Sequence, residues 1–150
     1  MSILKLTAEN RNGRTVISQS EFTSPLKIAN PFYRDGYTEV MMMAASAGIL
    51  EGDEYDIEIT VRENASLKFT AQSYSKIFKA DKTGAKQRVR ITVKSGGSLI
   101  YMPCPVIPFA DSVFDSRTEV RLYGDSRFVM TDILACGRTA MKERFAFKIY

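Results

Sequence analysis

The chain of 150 residues contains no histidine and no tryptophan. Without imidazole there is no Ser-His or Cys-His catalytic pair, no H-E-x-x-H zinc helix and none of the commonest metal ligand. Any metal handled here meets carboxylates, thiols, carbonyls or water. Cysteine is scarce: Cys104 and Cys136 lie in apolar surroundings with no paired spacing. They read as buried reduced thiols, which places the chain in the cytoplasm. No apolar run approaches the ~20 residues that span a bilayer. The N-terminal "MSILKLTAENRNGR" lacks the apolar core and cleavage site of a signal peptide. The glycines of "GDEYD", "SGGS" and "YGDSR" lack phosphate-loop order. No nucleophile and base pair by spacing, so the expectation is a protein that is not an enzyme.

The remainder is ordinary in bulk, with 45% hydrophobic residues, 25% charged residues and a net charge of +4. That suits one folded domain over 1–150 and excludes disordered and low-complexity classes. The pattern is more informative. Three windows align without gaps: Ile57–Phe69 "IEITVRENASLKF", Val89–Tyr101 "VRITVKSGGSLIY" and Thr118–Met130 "TEVRLYGDSRFVM". Each alternates apolar and polar residues, breaks at a polar or glycine turn, and alternates again. Alternation means a strand with one buried face, and a turn between two strands predicts a hairpin. Twelve positions are candidates for one core: Ile59, Val61, Ile91, Val93, Val120 and Leu122 before the turns, then Leu67, Phe69, Leu99, Tyr101, Phe128 and Met130 after them. Starts 32 and then 29 residues apart predict an all-β fold of stacked hairpin layers, sandwich- or solenoid-like.

Asn12-Gly13 predicts a further hairpin between "ILKLTAEN" and "RTVISQSEF". "SPLKIANPFYRDGY" reads as irregular. "TEVMMMAASAGIL" is open between helix, by propensity, and buried strand, by its neighbours. "RFAFKIY" reads as a strand running to Tyr150, which suggests that the natural chain continues. "PCPVIPF" at 103–109 is apolar, yet three of its residues are proline. It reads as a stiff crossover that packs side chains without joining a ladder.

Two charge clusters carry alternatives. Glu51, Asp53, Glu54, Asp56 and Glu58 are either a cation or partner contact or a solvated turn, with Asp53 after Gly52 suited to capping turn amides. The basic run Lys76–Lys94 is either a solvated face or a docking face for an acidic protein or nucleic acid.

Five landmarks follow in order: "NPFYRDG" (30–36), "SAGILEGDEYDIEITV" (46–61), "TAQSYSKIF" (70–78), "MPCPVIPFADSVF" (102–114) and "DILACGRTAMKERF" (132–145). Together they resemble the urease accessory protein D family, called H in some bacteria, over nearly the whole chain. The motif residues are Pro31, Phe32, Tyr33, Gly52, Lys76, Pro105, Ile107, Pro108, Phe109, Gly137 and Arg138. Members are usually longer, so the chain resembles an N-terminal portion whose last strands leave an open edge. Cys104 falls at a variable family position and receives no role. The resemblance implies stacked β-sheets with short helices. It also implies a non-enzymatic scaffold that binds urease apoenzyme and accessory protein F and, through F, the GTPase accessory protein G. No nucleic acid or membrane partner is implied. Nickel is implied to pass through an internal tunnel, with no tightly bound cofactor. Carboxylate and water hold nickel weakly enough for transit. The candidate carboxylates are Asp53, Asp132 and Glu143, with an Arg138 ion pair to Asp132 or Glu143 as the structural alternative.

Overall fold

The computed structural model describes residues 1–150. β1 (Ser2–Arg11) and β2 (Arg14–Phe22) form the expected antiparallel hairpin. Asn12 and Gly13 both have positive φ, 53° and 80°, as a two-residue turn between twisted strands requires. β3 (Leu26–Ile28), β4 (Phe32–Arg34) and β5 (Tyr37–Ala44) follow. The stretch read as irregular thus holds two short strands. β4 turns back on β5 through Asp35-Gly36, a hairpin signal that the neighbouring prolines hide. The ambiguous "TEVMMM" is strand, and it takes its place in a sheet between β3 and β7 (Ser66–Ala71).

β7 follows β6 (Glu54–Val61), and β8 (Ser75–Ile77) lies in the connector beyond it. β9 (Ala85–Val93) and β10 (Ser98–Met102) come next, then β11 (Val106–Pro108). β12 (Phe114–Leu122) and β13 (Arg127–Met130) form the last window. β14 (Gly137–Arg138), a single 3₁₀ turn at Thr139–Met141 and β15 (Glu143–Arg144) close the chain.

The windows build layers, but they are not hairpins. One sheet has the order β12-β9-β6-β1-β2 and the other β13-β10-β7-β5-β3, so each window's two strands lie in different sheets. The chain arches across the interior at each turn. Each strand pairs in parallel with its counterpart one window away, β6 with β9 and β9 with β12, β7 with β10 and β10 with β13. Alternation records which face is buried and is silent about which edge is paired. The gapless alignment of the windows is the register of this pairing. Leu6, Ile59, Ile91 and Val120 form one cross-strand row. Val40, Phe69, Tyr101 and Met130 form the facing row.

Eleven of the twelve candidate core positions belong to, or pack on, one hydrophobic cluster. The exception is Leu122, 51% exposed. β12 and β13 have a neighbour on one side only, so burial fades in the last layer. The arches also stack. Asn64 N–H donates to the Ser95 carbonyl at 3.1 Å, and Asp125 accepts from Gly96 N–H at 2.7 Å and Ser95 Oγ at 2.8 Å. Gly96 has φ 67°, and a Cβ there would lie 2.2 Å from Asn64 Oδ1, so both backbone and space call for glycine.

The connectors form a third, narrow stack. β8 pairs in parallel with β11, Ile49 bridges to Ile77, and Val106 bridges to Leu134. The proline segment therefore does join a ladder, contrary to expectation. Pro105 enters it as an acceptor from Ser75 N–H at 3.0 Å, while Phe109 N–H donates to Ile77 at 2.9 Å. On the other edge Val106 supplies both a donor, to Ile133, and an acceptor, for Ala135. The non-proline residues carry the donors, so the prolines cost the ladder little.

"RFAFKIY" does not form the expected long strand. Phe145 adopts φ 53°, which breaks the run after Arg144. Beyond it Tyr150 packs on Phe114 and Phe147, with centroids 6.1 and 6.2 Å away. A bridge from Ile149 to Val113 and backbone hydrogen bonds between 146–149 and 111–114 join this aromatic packing in fixing the end of the chain.

Candidate functional site: a cavity between the sheets

Connector residues 46–49 and 72–76 meet both sheets at one end of the molecule. A cavity of about 380 Å³ opens there beside Ser46, Gly48, Tyr74 and Lys76. A second of about 220 Å³ lies inward of it, beside Tyr101, Cys104, Met130 and Asp132. Both are lined by Met42, Ile49, Ile57, Ala71, Ser75 and Gln87, so the two are neighbours that share a wall. Their walls mix apolar residues with polar ones, Ser46, Ser75, Lys76 and Gln87 among them, as binding sites do.

The three candidate carboxylates have different situations. Asp132 lines the inner cavity and is itself exposed, so it stands at a mouth. Its charge, after burial, helps to raise the Tyr101 and Tyr150 hydroxyls above their ordinary pKa. Asp53 is a turn cap. Its Oδ2 accepts from Leu50 N–H at 2.8 Å and from the Tyr55 hydroxyl at 2.9 Å, and only Tyr55 lines the cavity. Gly52 stands in that exposed turn. Glu143 is paired with Arg138, through Nε at 2.8 Å and Nη2 at 2.6 Å, and accepts from Ala110 N–H at 3.3 Å. Its carboxyl is held below the usual range, chiefly by Arg138. Of the two pairings open to Arg138, the structure makes the one with Glu143.

The motif residues fall into two groups. Phe109 packs on Phe78 at 4.9 Å, and the Arg138 guanidinium lies 4.0 Å from the Phe109 ring centre. Gly137, at φ 108°, sits where a Cβ would meet the Glu143 carbonyl at 2.2 Å. Pro105, Ile107, Pro108, Phe109, Gly137 and Arg138 thus form one brace behind the cavity, and Lys76 sits at its opening. Pro31, Phe32 and Tyr33 are elsewhere, on and beside β4, with Phe32 and Tyr33 largely exposed and Arg34 lying over Phe32 at 5.9 Å.

The acidic cluster and the basic run face each other. On the outer surface of the first sheet Glu54 pairs across to Lys86, Asp56 to Arg88 and Glu58 to Arg90. Arg90 Nη2 lies 3.0 Å from Asp56 and 3.5 Å from Glu58. Lys79 is paired with Asp81 at 2.8 Å, and Lys94 lies over the Tyr123 ring at 4.2 Å. The basic half of this face is offset by the acids one strand away, which weakens its pull on a polyanion.

The cavity-lining Met42, Ile57, Gln87 and Tyr101 carry no functional signal in the sequence, because a cavity wall and a solid core share one alternation pattern. Cys104, assigned no role, lines the inner cavity, and both cysteines are half-buried rather than buried.

Fold and cavities together define the class: a solenoid-like, parallel-stranded β protein with two adjoining cavities between its sheets. The chain belongs to the family described as UreD urease accessory protein, whose family model matches residues 2–150. It is 43% identical to the urease accessory protein UreD of Acetivibrio thermocellus, over 99% of this chain and 58% of that protein. It is 37% identical to the urease accessory protein UreH of Helicobacter hepaticus, over 97% of this chain and 58% of the other. Identity to UreH of Helicobacter pylori strain G27 is 34%, over 91% and 52%. The chain therefore spans a little over half the length of these relatives. No helix is long and apolar enough to cross a membrane.

Proposed function

We propose that the chain serves urease maturation as a non-catalytic scaffold. In this reading it binds urease apoenzyme and accessory protein F, which brings accessory protein G, in the cytoplasm. It binds no nucleic acid and holds no resident cofactor. Nickel is cargo, and the space between the sheets is its path. The observation that carries the reading is the pair of adjoining cavities between the sheets, the second lined by the exposed Asp132, in a chain of the UreD family. A carboxylate and water would hold a divalent ion weakly enough for it to move on. No group of three or more His, Cys, Asp or Glu side chains comes together in the chain. The Arg138–Glu143–Phe109 brace keeps the connectors stacked, so Glu143 acts on the path through its shape rather than as a ligand.

The test is complementation in cells that express urease but lack this protein. The protein at its natural length is expected to restore urease activity and to co-purify with urease subunits and protein F. The Asp132→Ala variant is expected to co-purify equally and to activate urease less. Equal activation by that variant removes Asp132 from the path. Absence of co-purification by the unaltered protein overturns the scaffold reading.

A further inference from the structure

Phe32 and Tyr33 line neither of the adjoining cavities and lie outside the brace, in the three-residue strand β4. The only strand that β4 pairs with is β5. Arg34 and Tyr37 close the two-residue turn of this hairpin, so they form its hydrogen-bonded pair, and Tyr33 opposite Thr38 is the next, non-hydrogen-bonded pair. The Tyr33 N–H and carbonyl therefore point away from β5, and no other segment of the chain bonds to them. An unpaired edge of this kind is a template for an incoming strand.

A cavity of about 260 Å³ lies between this hairpin and the β1–β2 turn, with Arg14, Tyr33, Arg34 and Tyr37 in its lining. The arginine ion pairs of the chain are those of Arg11, Arg90, Arg117 and Arg138, so Arg14 and Arg34 have no carboxylate partner. Asp35 is the one acid on this cavity. Phe32, Tyr33 and Tyr37 are 48%, 60% and 38% exposed. A Cβ at Gly13 or Gly36 would meet nothing within 4 Å, so both turns stand clear of the body. Exposed tyrosine and arginine beside a free strand edge are the make-up of a protein-binding surface.

We propose that this face docks an extended acidic segment of a partner protein, which adds to the outer edge of β4 as a further strand. This rests on the scaffold reading and gives that scaffold a docking surface. The Tyr33 N–H and carbonyl bond the incoming backbone. Arg14 and Arg34 take its carboxylates, each through a planar fork that meets both oxygens. Phe32 and Tyr33 stand on opposite faces of β4, so the guest finds aromatic surface for apolar side chains on either side. A nucleic acid fits this face less well, since two arginines with Asp35 beside them make no stripe of cations for a phosphate chain.

The probe is a fluorescein-labelled peptide of alternating Glu and Val, with a Lys–Val peptide as its opposite, titrated against the protein at its natural length. Fluorescence anisotropy reads binding, and hydrogen exchange reads where it occurs. The Glu–Val peptide is expected to bind, more weakly as salt rises, and to slow exchange severalfold in β4 and not in β13. The double variant Arg14→Glu, Arg34→Glu should weaken binding at least severalfold. Tyr33→Pro removes the outward N–H, leaves the β4–β5 bonds in place and should also weaken it. Arg127→Glu, an equal change of charge at the far end of the same sheet, should leave binding unchanged. Unchanged urea midpoints show that the variants are folded. No binding of the Glu–Val peptide, equal binding of the Lys–Val peptide, protection elsewhere than β4, or tighter binding of an oligothymidylate to this face overturns the surface. Co-purification from cells separates this surface from the scaffold reading. The double variant is expected to retain less of urease or of protein F than the unaltered protein does. Equal retention by both removes the surface and keeps the scaffold. An unaltered protein that retains neither, while the peptide still protects β4, removes the scaffold and keeps the surface.

Discussion

Arg138 grips Glu143 through two hydrogen bonds, of 2.8 and 2.6 Å, while its guanidinium covers the Phe109 ring at 4.0 Å. One cation thereby joins the proline connector to the last short hairpin. Arginine suits both tasks, since its planar fork matches a carboxylate and its face stacks on an aromatic ring.

Replacing Glu143 by Gln should loosen residues 137–145, read as faster proteolysis of that segment at neutral pH. The Glu143 carboxyl is held below its ordinary value of 4.5, first by the Arg138 hydrogen bonds. A lowered folded-state pKa adds stability that is present above the unfolded value and is lost as pH falls through the folded one. The unaltered protein should therefore lose the same protection on acidification below that ordinary value, and the Gln variant should show no such dependence there.

Glu51 should order the loop at 81–83. Its carboxylate accepts from the backbone N–H groups of Asp81, Lys82 and Thr83 at 3.1, 2.5 and 2.6 Å. Those bonds lower its pKa, with Thr83 contributing most. In Glu51→Ala these three amides should exchange hydrogen at least severalfold faster, while amides of β9 stay unchanged. In the unaltered protein their protection should likewise fade as pH drops below the carboxyl's ordinary value.

Gly96→Ala should destabilise the protein by about 1–3 kcal/mol, since it adds a clash and a disfavoured left-handed alanine. The observable is the midpoint of urea unfolding. Gly13→Ala, at φ 80° but with nothing within 4 Å of the added Cβ, should cost less. The difference isolates the stacking of the arches from the turn conformation.

Arg90 sits between Asp56 and Glu58. Arg90→Ala should cost about 1 kcal/mol, typical of partly exposed ion pairs, and less at high salt. Because the basic row is offset by the acidic one, the unaltered protein should show no salt-dependent binding to DNA or RNA. Strong binding that weakens steeply with salt would restore the basic run as a docking face.

The layers were legible because burial leaves a period-2 record, and the three windows share one register. Eleven core positions followed from that record alone. Strand pairing was not legible, since Ile59 and Leu67 give the same pattern whether β6 and β7 meet edge to edge or face to face. The β4–β5 turn was masked by nearby prolines, and Phe145 by an alternation that its left-handed backbone interrupts. In the site, Asp132 was reachable as a carboxylate beside a core strand. Asp53 and Glu143 met the same criterion, and only coordinates separate a cavity acid from a turn cap and an ion pair. Tyr101 and Cys104 were hidden because, in sequence, a side chain facing a void looks like one facing a neighbour.

Ala71 lines both cavities, so Ala71→Phe is the most direct probe of the path. The measurement is the nickel content of urease purified from cells that carry this variant at its natural length. Co-purification of urease and an unchanged circular dichroism spectrum serve as controls. With both controls intact, urease nickel should fall severalfold. Urease loaded with nickel to the level reached with the unaltered protein would contradict a route between the sheets.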